Sequence, residues 1–292
     1  MFRRLRAHPS AGRLALVAAL LAGLPAAVAA ASTPSKPGAA VRLVVAGIVD
    51  GRPELGIEIA LEPGWKTYWR TPGDAGIPPV VDWSKSTGAT AFDLRFPAPV
   101  RFGEEGVTSI GYTGPVVLPI DLALADPTKP AQLDLDVQIG LCREICVPVS
   151  AHLTGAVVPD MAVDAAALDR LRDARSRLPT PAVSGTAPWV MSLERDRDGD
   201  SIAGAVLVRV KTPEGAAAAE PRDVLVEGPT AEWALPLPTR VGGGSGSEVW
   251  RFELDGVPRD AKLEGAELRF TLRLGDRVVE QNVTLDATVA KP

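Results

Sequence analysis

The sequence predicts an all-β protein made of two β-sandwich domains joined by a helical connector. Most apolar segments of the 292-residue chain alternate apolar and polar side chains with a period of two, which is typical of half-buried strands. The chain also contains 27 Pro and 28 Gly, a composition that favours many turns over long helices. An Ala-, Leu- and Arg-rich segment in the middle departs from this pattern and divides the chain into two β-rich parts.

Residues 1–31 carry the pattern of a secretory signal peptide. Four arginines among the first 13 residues precede the apolar run LALVAALLAGLPAAVAA, which ends in small residues suited to cleavage. A retained membrane anchor is the rival interpretation, but the run is short for a membrane span and Pro25 interrupts it. Residues 32–40 form a linker rich in Pro, Ser and Ala. We therefore expect a periplasmic protein with no membrane span after cleavage, in a compartment that permits disulfides.

The first predicted sandwich spans residues 41–159. Its alternating segments are separated at short intervals by turn residues, which is the pattern of antiparallel strands in a sandwich. These segments are VRLVVAGIVD, LGIEIALE, VVLPIDLAL, QLDLDVQIG and AHLTGAVV.

Residues 160–182 are predicted to form the helical connector. In the segment MAVDAAALDRLRDARSRLP the apolar positions fit a helix better than a strand, and Pro179 and Pro181 end that helix. The apolar positions are Ala162, Ala166, Leu168, Leu171 and Leu178.

The second predicted sandwich spans residues 183–292 and contains no cysteine. Its alternating segments are interrupted at DRDGD, PEGAAAAEP and GGGSGS, which are turn or loop compositions. The segments are WVMSLERD, SIAGAVLVRVK, RDVLVEG, EVWRFELDG, AELRFTLRLGD and RVVEQNVTLDA.

Charge and composition argue against several classes of function. The net charge of -5, with no basic cluster beyond the signal peptide, opposes nucleic acid as a partner. His152 is the histidine that remains after signal cleavage, so a Ser/His/Asp triad would have to be built around it, and the sequence has neither a nucleophile-elbow glycine pattern nor a phosphate loop. We therefore expect neither a hydrolase nor a kinase, and no cofactor.

Cys142 and Cys146 are the two cysteines of the chain, and they lie four positions apart in GLCREICVPVSAHL. If the flanking segments are neighbouring antiparallel strands, the cysteines lie opposite each other across a three-residue loop, at Cα separations of about 4.5 to 5.5 Å that a disulfide accepts. In the chain-entropy model a loop this short stabilises a fold by only about 2 kcal/mol. An exposed disulfide in a short loop is also easier to reduce than a buried one, which favours a redox role.

Two other interpretations of the cysteine pair remain open. Two thiolates suit Cu(I) or Zn, so Cys142 and Cys146 with His152 could form the metal site of a periplasmic copper-handling protein. Alternatively, the disulfide is a minor staple in a non-catalytic interaction module whose binding surface is the second sandwich.

An aromatic segment upstream of the cysteines completes the pattern. PGWKTYWRTPGDAGIPPVVDW holds four aromatic residues within about 20 positions, in a chain with 5% aromatics. It is followed by FPAPVRFGEEGVTSIGYTGPVVLPI and then by GLCREICVPV. The W-x-x-Y-W-R run, the I-G-Y segment before L-P and the C-x-x-x-C-V-P run, in this order, resemble the N-terminal periplasmic domain of the thiol:disulfide interchange protein DsbD and its ScsB relatives. The resemblance covers residues 41–158.

This resemblance implies an immunoglobulin-like sandwich with a redox-active cysteine pair that exchanges dithiol for disulfide with thioredoxin-like proteins. The family's second cysteine forms the mixed disulfide, which implies that Cys146 attacks and Cys142 resolves. A cap loop shields the pair in that family, and by its order along the chain RFGEEG resembles it. The resemblance thus adds these candidates for the cap loop and the surrounding face: Phe102, Glu104, Glu105, Tyr68, Trp69 and Tyr112.

The sequence departs from the family at two points. The family's cysteines are separated by more residues than the three found between Cys142 and Cys146. The family also continues into a multi-span membrane domain and a thioredoxin-like domain, neither of which is recognisable here. A redox carrier of this kind would therefore receive electrons from a separate membrane protein.

Overall fold

The structure, a computed structural model, describes residues 38–104, 106–196, 204–214 and 222–285. The predicted signal peptide and most of the predicted linker lie outside these ranges. Within them, no helix combines the length and the apolar character needed to cross a bilayer.

Ten strands of the described residues build two antiparallel sheets of a first sandwich. One sheet has the order β1-β2-β8-β5, and the other has the order β10-β9-β3-β7-β6 with β4 paired to β9. The strands are β1 (Ala39–Val49), β2 (Arg52–Leu61), β3 (Lys66–Gly73), β4 (Val80–Asp82), β5 (Ala89–Leu94), β6 (Val100–Glu104), β7 (Val107–Tyr112), β8 (Val116–Leu124), β9 (Ala131–Cys142) and β10 (Cys146–Val157).

The core of this sandwich follows from the alternation along each strand. In β9, Leu133, Leu135 and Val137 are at most 2% exposed, while the intervening Asp134 and Asp136 point away from the core. Because side chains of a strand point alternately to opposite faces, the apolar set faces the second sheet. Burying such a side chain stabilises the fold by about 1.5 to 3 kcal/mol.

Strands β3 to β7 are absent from the segments that alternation predicts. Pro and Gly interrupt this part of the chain, and β5 shows little burial on either face, so a period of two is hard to read there. Tertiary pairing places β3 between β9 and β7, which brings the aromatic segment beside the strand that carries Cys142.

A helix, α1 (Ala165–Ser176), follows the first sandwich and packs against it. Asp164 caps its start, since the carboxylate accepts a hydrogen bond of 3.0 Å from the backbone N–H of Ala167. The predicted apolar face was partly wrong, because Ala162 and Ala166 are exposed. The buried face follows the spacing of a helix more closely and consists of Ala167, Leu168, Leu171 and Ala174.

Eight further strands build the second sandwich. Its two sheets have the orders β11-β18-β17-β14 and β12-β13-β16-β15. The strands are β11 (Thr180–Pro181), β12 (Trp189–Asp196), β13 (Ala205–Lys211), β14 (Arg222–Glu227), β15 (Thr239–Gly244), β16 (Ser247–Glu253), β17 (Ala266–Leu274) and β18 (Arg277–Leu285).

The second sandwich begins slightly earlier than predicted, because β11 pairs in parallel with β18 before residue 183. Its core is separate from the first and includes an edge-to-face contact between Phe252 and Phe270, whose ring centroids lie 6.3 Å apart. The predicted fold class, two β-sandwiches joined by a helical connector, is confirmed.

Candidate functional site

Cys142 and Cys146 form a disulfide at one end of the first sandwich. Cys142 ends β9, Cys146 begins β10, and the two residues lie directly opposite each other in the register, with their Cα atoms 4.1 Å apart. The three residues between them form the hairpin loop, as the alternation of the flanking segments predicts.

The disulfide is open to a partner on the side of Cys146. Cys146 is exposed, whereas Cys142 is half-buried. Two apolar side chains beside it are also exposed, Ile145 by 75% and Val147 by 37%. Exposed apolar side chains that lie close together favour contact with another protein, because they lose water when a partner docks.

Tyr68 of β3 contacts the exposed cysteine from beneath. Its hydroxyl oxygen lies 2.8 Å from the Sγ atom of Cys146. Since a disulfide sulfur carries no hydrogen, the hydroxyl donates and the sulfur accepts. Tyr68 is 1% exposed, and this burial raises the pKa of its hydroxyl, so the donor stays protonated at neutral pH.

Two glycines make room for the Tyr68 ring. A Cβ atom at Gly140 would lie 2.7 Å from Cδ2 of the ring, and one at Gly76 would lie 2.5 Å from Cδ1. Thr67 adds a hydrogen bond of 2.8 Å from its Oγ1 to the carbonyl oxygen of Gly140. These three residues were missed from the sequence, although a glycine inside an alternating strand is a known sign of close approach by another group.

Phe102 lies beside Tyr68, and Lys66 lies over the Phe102 ring. The rings of Phe102 and Tyr68 are tilted with centroids 6.0 Å apart, and Nζ of Lys66 lies 5.2 Å from the centroid of Phe102. Lys66 also pairs with Cys142 in the register of β3 and β9, which places a positive charge on the strand beside that cysteine. Sequence reasoning missed Lys66.

The two glutamates of the predicted cap loop cannot be placed at the site from the described residues. The side chain of Glu104 and the whole of Glu105 lie outside them, so their role in a cap stays a prediction. Phe102 is the predicted cap residue that the structure brings to Tyr68.

Trp69 and Tyr112 lie in the core and not on the face of the cysteines, which corrects their predicted place. Trp69 follows Tyr68 on the same strand and therefore points to the opposite face, where it is 1% exposed. The Tyr112 hydroxyl donates a hydrogen bond of 2.8 Å to the carbonyl oxygen of Pro97, and burial raises its pKa. Both residues support the sandwich beneath the site.

His152 is not brought to the cysteine pair. It follows Cys146 by six positions on β10, a distance of about 20 Å along an extended strand. Its Nδ1 atom lies 2.8 Å from Oδ1 of Asp136. Across the described ranges, no group of three His, Cys, Asp or Glu side chains is placed to hold a metal ion. The ligand set of the metal interpretation is therefore not assembled.

The first sandwich matches a known protein family. Residues 33–157 match a family model described as "Thiol:disulfide interchange protein DsbD, N-terminal", which confirms the resemblance seen in the sequence. The fold is similar to the crystal structure of the N-terminal periplasmic domain of ScsB from Proteus mirabilis, with a TM-score of 0.68 and 19% sequence identity. That similarity covers 88% of this chain and 97% of the other, so it extends beyond the first sandwich. No curated protein matches the chain.

Proposed function

Because its first sandwich matches the N-terminal domain of a thiol:disulfide interchange protein, we propose that this chain exchanges a dithiol for a disulfide with thioredoxin-like proteins in the periplasm. The observation that carries the proposal is the Cys142–Cys146 disulfide, with Cys146 exposed and its sulfur accepting a hydrogen bond from Tyr68. A separate membrane protein is the proposed source of electrons.

The exchange proceeds through a mixed disulfide. In the reduced chain, the Cys146 thiolate attacks one sulfur of a partner's disulfide, a new S–S bond forms, and the partner's other sulfur leaves as a thiolate that takes up a proton. The Cys142 thiolate then attacks the Cys146 sulfur and displaces the partner's first sulfur. This chain loses two electrons and the partner gains them. The same steps in reverse reduce the Cys142–Cys146 bond.

Exposure supports Cys146 as the sulfur that meets the partner. An incoming group must approach the S–S bond from outside, and Cys146 is exposed where Cys142 is half-buried.

The buried hydroxyl of Tyr68 supports Cys146 as the reactive thiolate. A hydrogen bond to a charged acceptor contributes about 1.5 to 3 kcal/mol, against about 0.5 to 1.5 kcal/mol for a neutral acceptor. Tyr68 therefore stabilises the thiolate of the reduced protein more than the sulfur of the disulfide, and it raises the fraction of Cys146 ready to attack at neutral pH.

A trapping experiment tests the proposal. Cys142→Ala leaves Cys146 without a resolving thiol, so incubation with an oxidised thioredoxin-like protein is expected to accumulate a mixed disulfide on non-reducing electrophoresis. Cys146→Ala is the matched control and is expected to trap much less. Absence of an adduct with Cys142→Ala would contradict the carrier role, and equal trapping by both variants would contradict the assignment of Cys146.

The reduction potential separates a carrier from a structural staple. A carrier must lie near the range between thioredoxin and protein disulfide isomerase, about -270 to -180 mV. A potential well below about -300 mV would favour a structural disulfide in a non-catalytic module.

A further inference from the structure

Arg101, on β6 of the first sandwich, is held by the second sandwich. Its Nε atom donates a hydrogen bond of 2.7 Å to Oδ1 of Asp223. Its Nη2 atom donates to the carbonyl oxygens of Val224, at 2.9 Å, and of Pro238, at 3.0 Å. Three acceptors from two segments of the second sandwich therefore converge on one guanidinium, which fixes its position more firmly than a single ion pair would.

The residue after Arg101 is Phe102, the aromatic neighbour of Tyr68. Successive side chains of a strand point to opposite faces, so the same short strand presents Arg101 to the second sandwich and Phe102 to the site. The second sandwich also binds the residue that precedes this strand, because Nη2 of Arg273 donates a hydrogen bond of 2.9 Å to the carbonyl oxygen of Pro99.

The strand that carries Tyr68 has a similar anchor two residues further on. Arg70 donates to both carboxylate oxygens of Glu227, at 2.8 and 2.7 Å, and to Oε1 of Glu280 at 2.5 Å. Thr71 donates to Glu227 at 3.0 Å. The carboxylates belong to β14 and β18. The second sandwich therefore holds both strands whose aromatic side chains, Tyr68 and Phe102, contact each other beside the disulfide.

We propose that the second sandwich sets the redox behaviour of the cysteine pair, with Arg101 as a positioning residue that keeps Phe102 packed against Tyr68. This inference rests on the proposed redox function of the pair. Arg101 touches neither sulfur, and it acts through the Phe102 ring on the tyrosine whose hydroxyl contacts Cys146. A domain contact that served stability alone would not need to lie next to these two side chains.

The test is the reduction potential of the full chain, measured by equilibration with a glutathione redox buffer. Arg101→Met keeps the apolar stem but removes all three hydrogen bonds, so Phe102 and Tyr68 lose their support and the dithiol form loses stabilisation. We expect the equilibrium to shift toward the disulfide by about three- to tenfold, which makes the potential more negative by about 15 to 30 mV. Asp223→Ala is expected to shift it in the same direction.

Arg42→Met is the matched control. Arg42 forms an ion pair of 3.0 Å with Glu58 within the first sandwich, on the sheet opposite the one that carries the cysteines. Its loss is expected to leave the potential unchanged. Because unfolding in urea is followed for every variant, a change in stability is separated from a change in potential.

A double-mutant cycle tests the route through Phe102. If Arg101 acts through this ring, Arg101→Met is expected to have no further effect on the potential in a Phe102→Ala background. An unchanged potential in Arg101→Met, or an equal shift with and without Phe102, would overturn the inference. Glutathione equilibration needs no protein partner, so a failure to trap a thioredoxin-like protein would count against the proposed function and not against this coupling.

Discussion

The hydroxyl of Tyr68 offers the most direct test of how the fold tunes Cys146. Tyr68→Phe removes the group that lies 2.8 Å from the sulfur and keeps the ring that fills the space between two glycines. The substitution therefore changes the hydrogen bond with little change in packing. To isolate one sulfur, both proteins are prepared in a Cys142→Ala background.

The expected magnitude follows from the difference between a charged and a neutral acceptor. A hydrogen bond to the thiolate exceeds one to the thiol by about 1 to 2 kcal/mol. One pKa unit corresponds to about 1.4 kcal/mol, so loss of the hydroxyl is expected to raise the pKa of Cys146 by about one unit. The sign is upward because the substitution destabilises the charged form.

The assay is the pH dependence of the rate of alkylation by iodoacetamide, since the thiolate is the reacting species. Tyr112→Phe is the matched control, because it removes a tyrosine hydroxyl that bonds Pro97 in the core of the same sandwich. We expect Tyr112→Phe to lower the free energy of unfolding by about 1 to 3 kcal/mol. The midpoint of the pH dependence of Cys146 alkylation is expected to stay unchanged. If the alkylation midpoint of Tyr68→Phe is also unchanged, or lies at lower pH, the role of the Tyr68 hydroxyl is refuted.

The remaining predictions concern packing and acid stability. Gly140→Ala places a Cβ atom 2.7 Å from the same tyrosine ring, so we expect a loss of about 1 to 3 kcal/mol in urea unfolding. Gly114→Ala, where a Cβ atom would meet nothing within 4 Å, is expected to change stability by less than about 0.5 kcal/mol, and equal losses would contradict the packing argument. A hydrogen bond from Lys85, and to a smaller extent one with His152, lowers the pKa of Asp136. The stabilisation from this carboxylate is therefore complete above its ordinary pKa of 3.8 and is lost as the pH falls through the lowered value. In Asp136→Asn the free energy of unfolding, measured in urea at several pH values, is expected to fall less below pH 3.8 than in the unmodified protein. An equal fall in both proteins would contradict this prediction.

Local patterns in the sequence predicted the hairpin that carries the cysteines. The strands on either side of the loop alternate clearly, and three residues between two strands are enough to place Cys142 and Cys146 opposite each other. Their period of two also predicts the two sandwiches. The pattern was weaker in the aromatic segment, where Pro and Gly interrupt the strands and leave several strands unpredicted.

The resemblance to a known family identified the aromatic segment as important but did not separate its members. Tyr68 and Trp69 are adjacent in the sequence, and one faces the sulfur while the other fills the core. The choice between them depends on the register of β3 against β9, which pairs residues more than 70 positions apart. Alternation shows that the two side chains diverge, but it does not show which face is buried.

The sequence by itself determined the fold class, the helical connector and the position of the disulfide loop, because each depends on spacings within a few residues of the chain. Only the tertiary structure decided that Tyr68 donates to Cys146, that Gly140 leaves room for its ring, and that Arg101 ties the neighbouring strand to the second sandwich. These contacts join residues between 72 and 137 positions apart. Their formation depends on how sheets stack and how two domains meet, which no local period along the chain encodes.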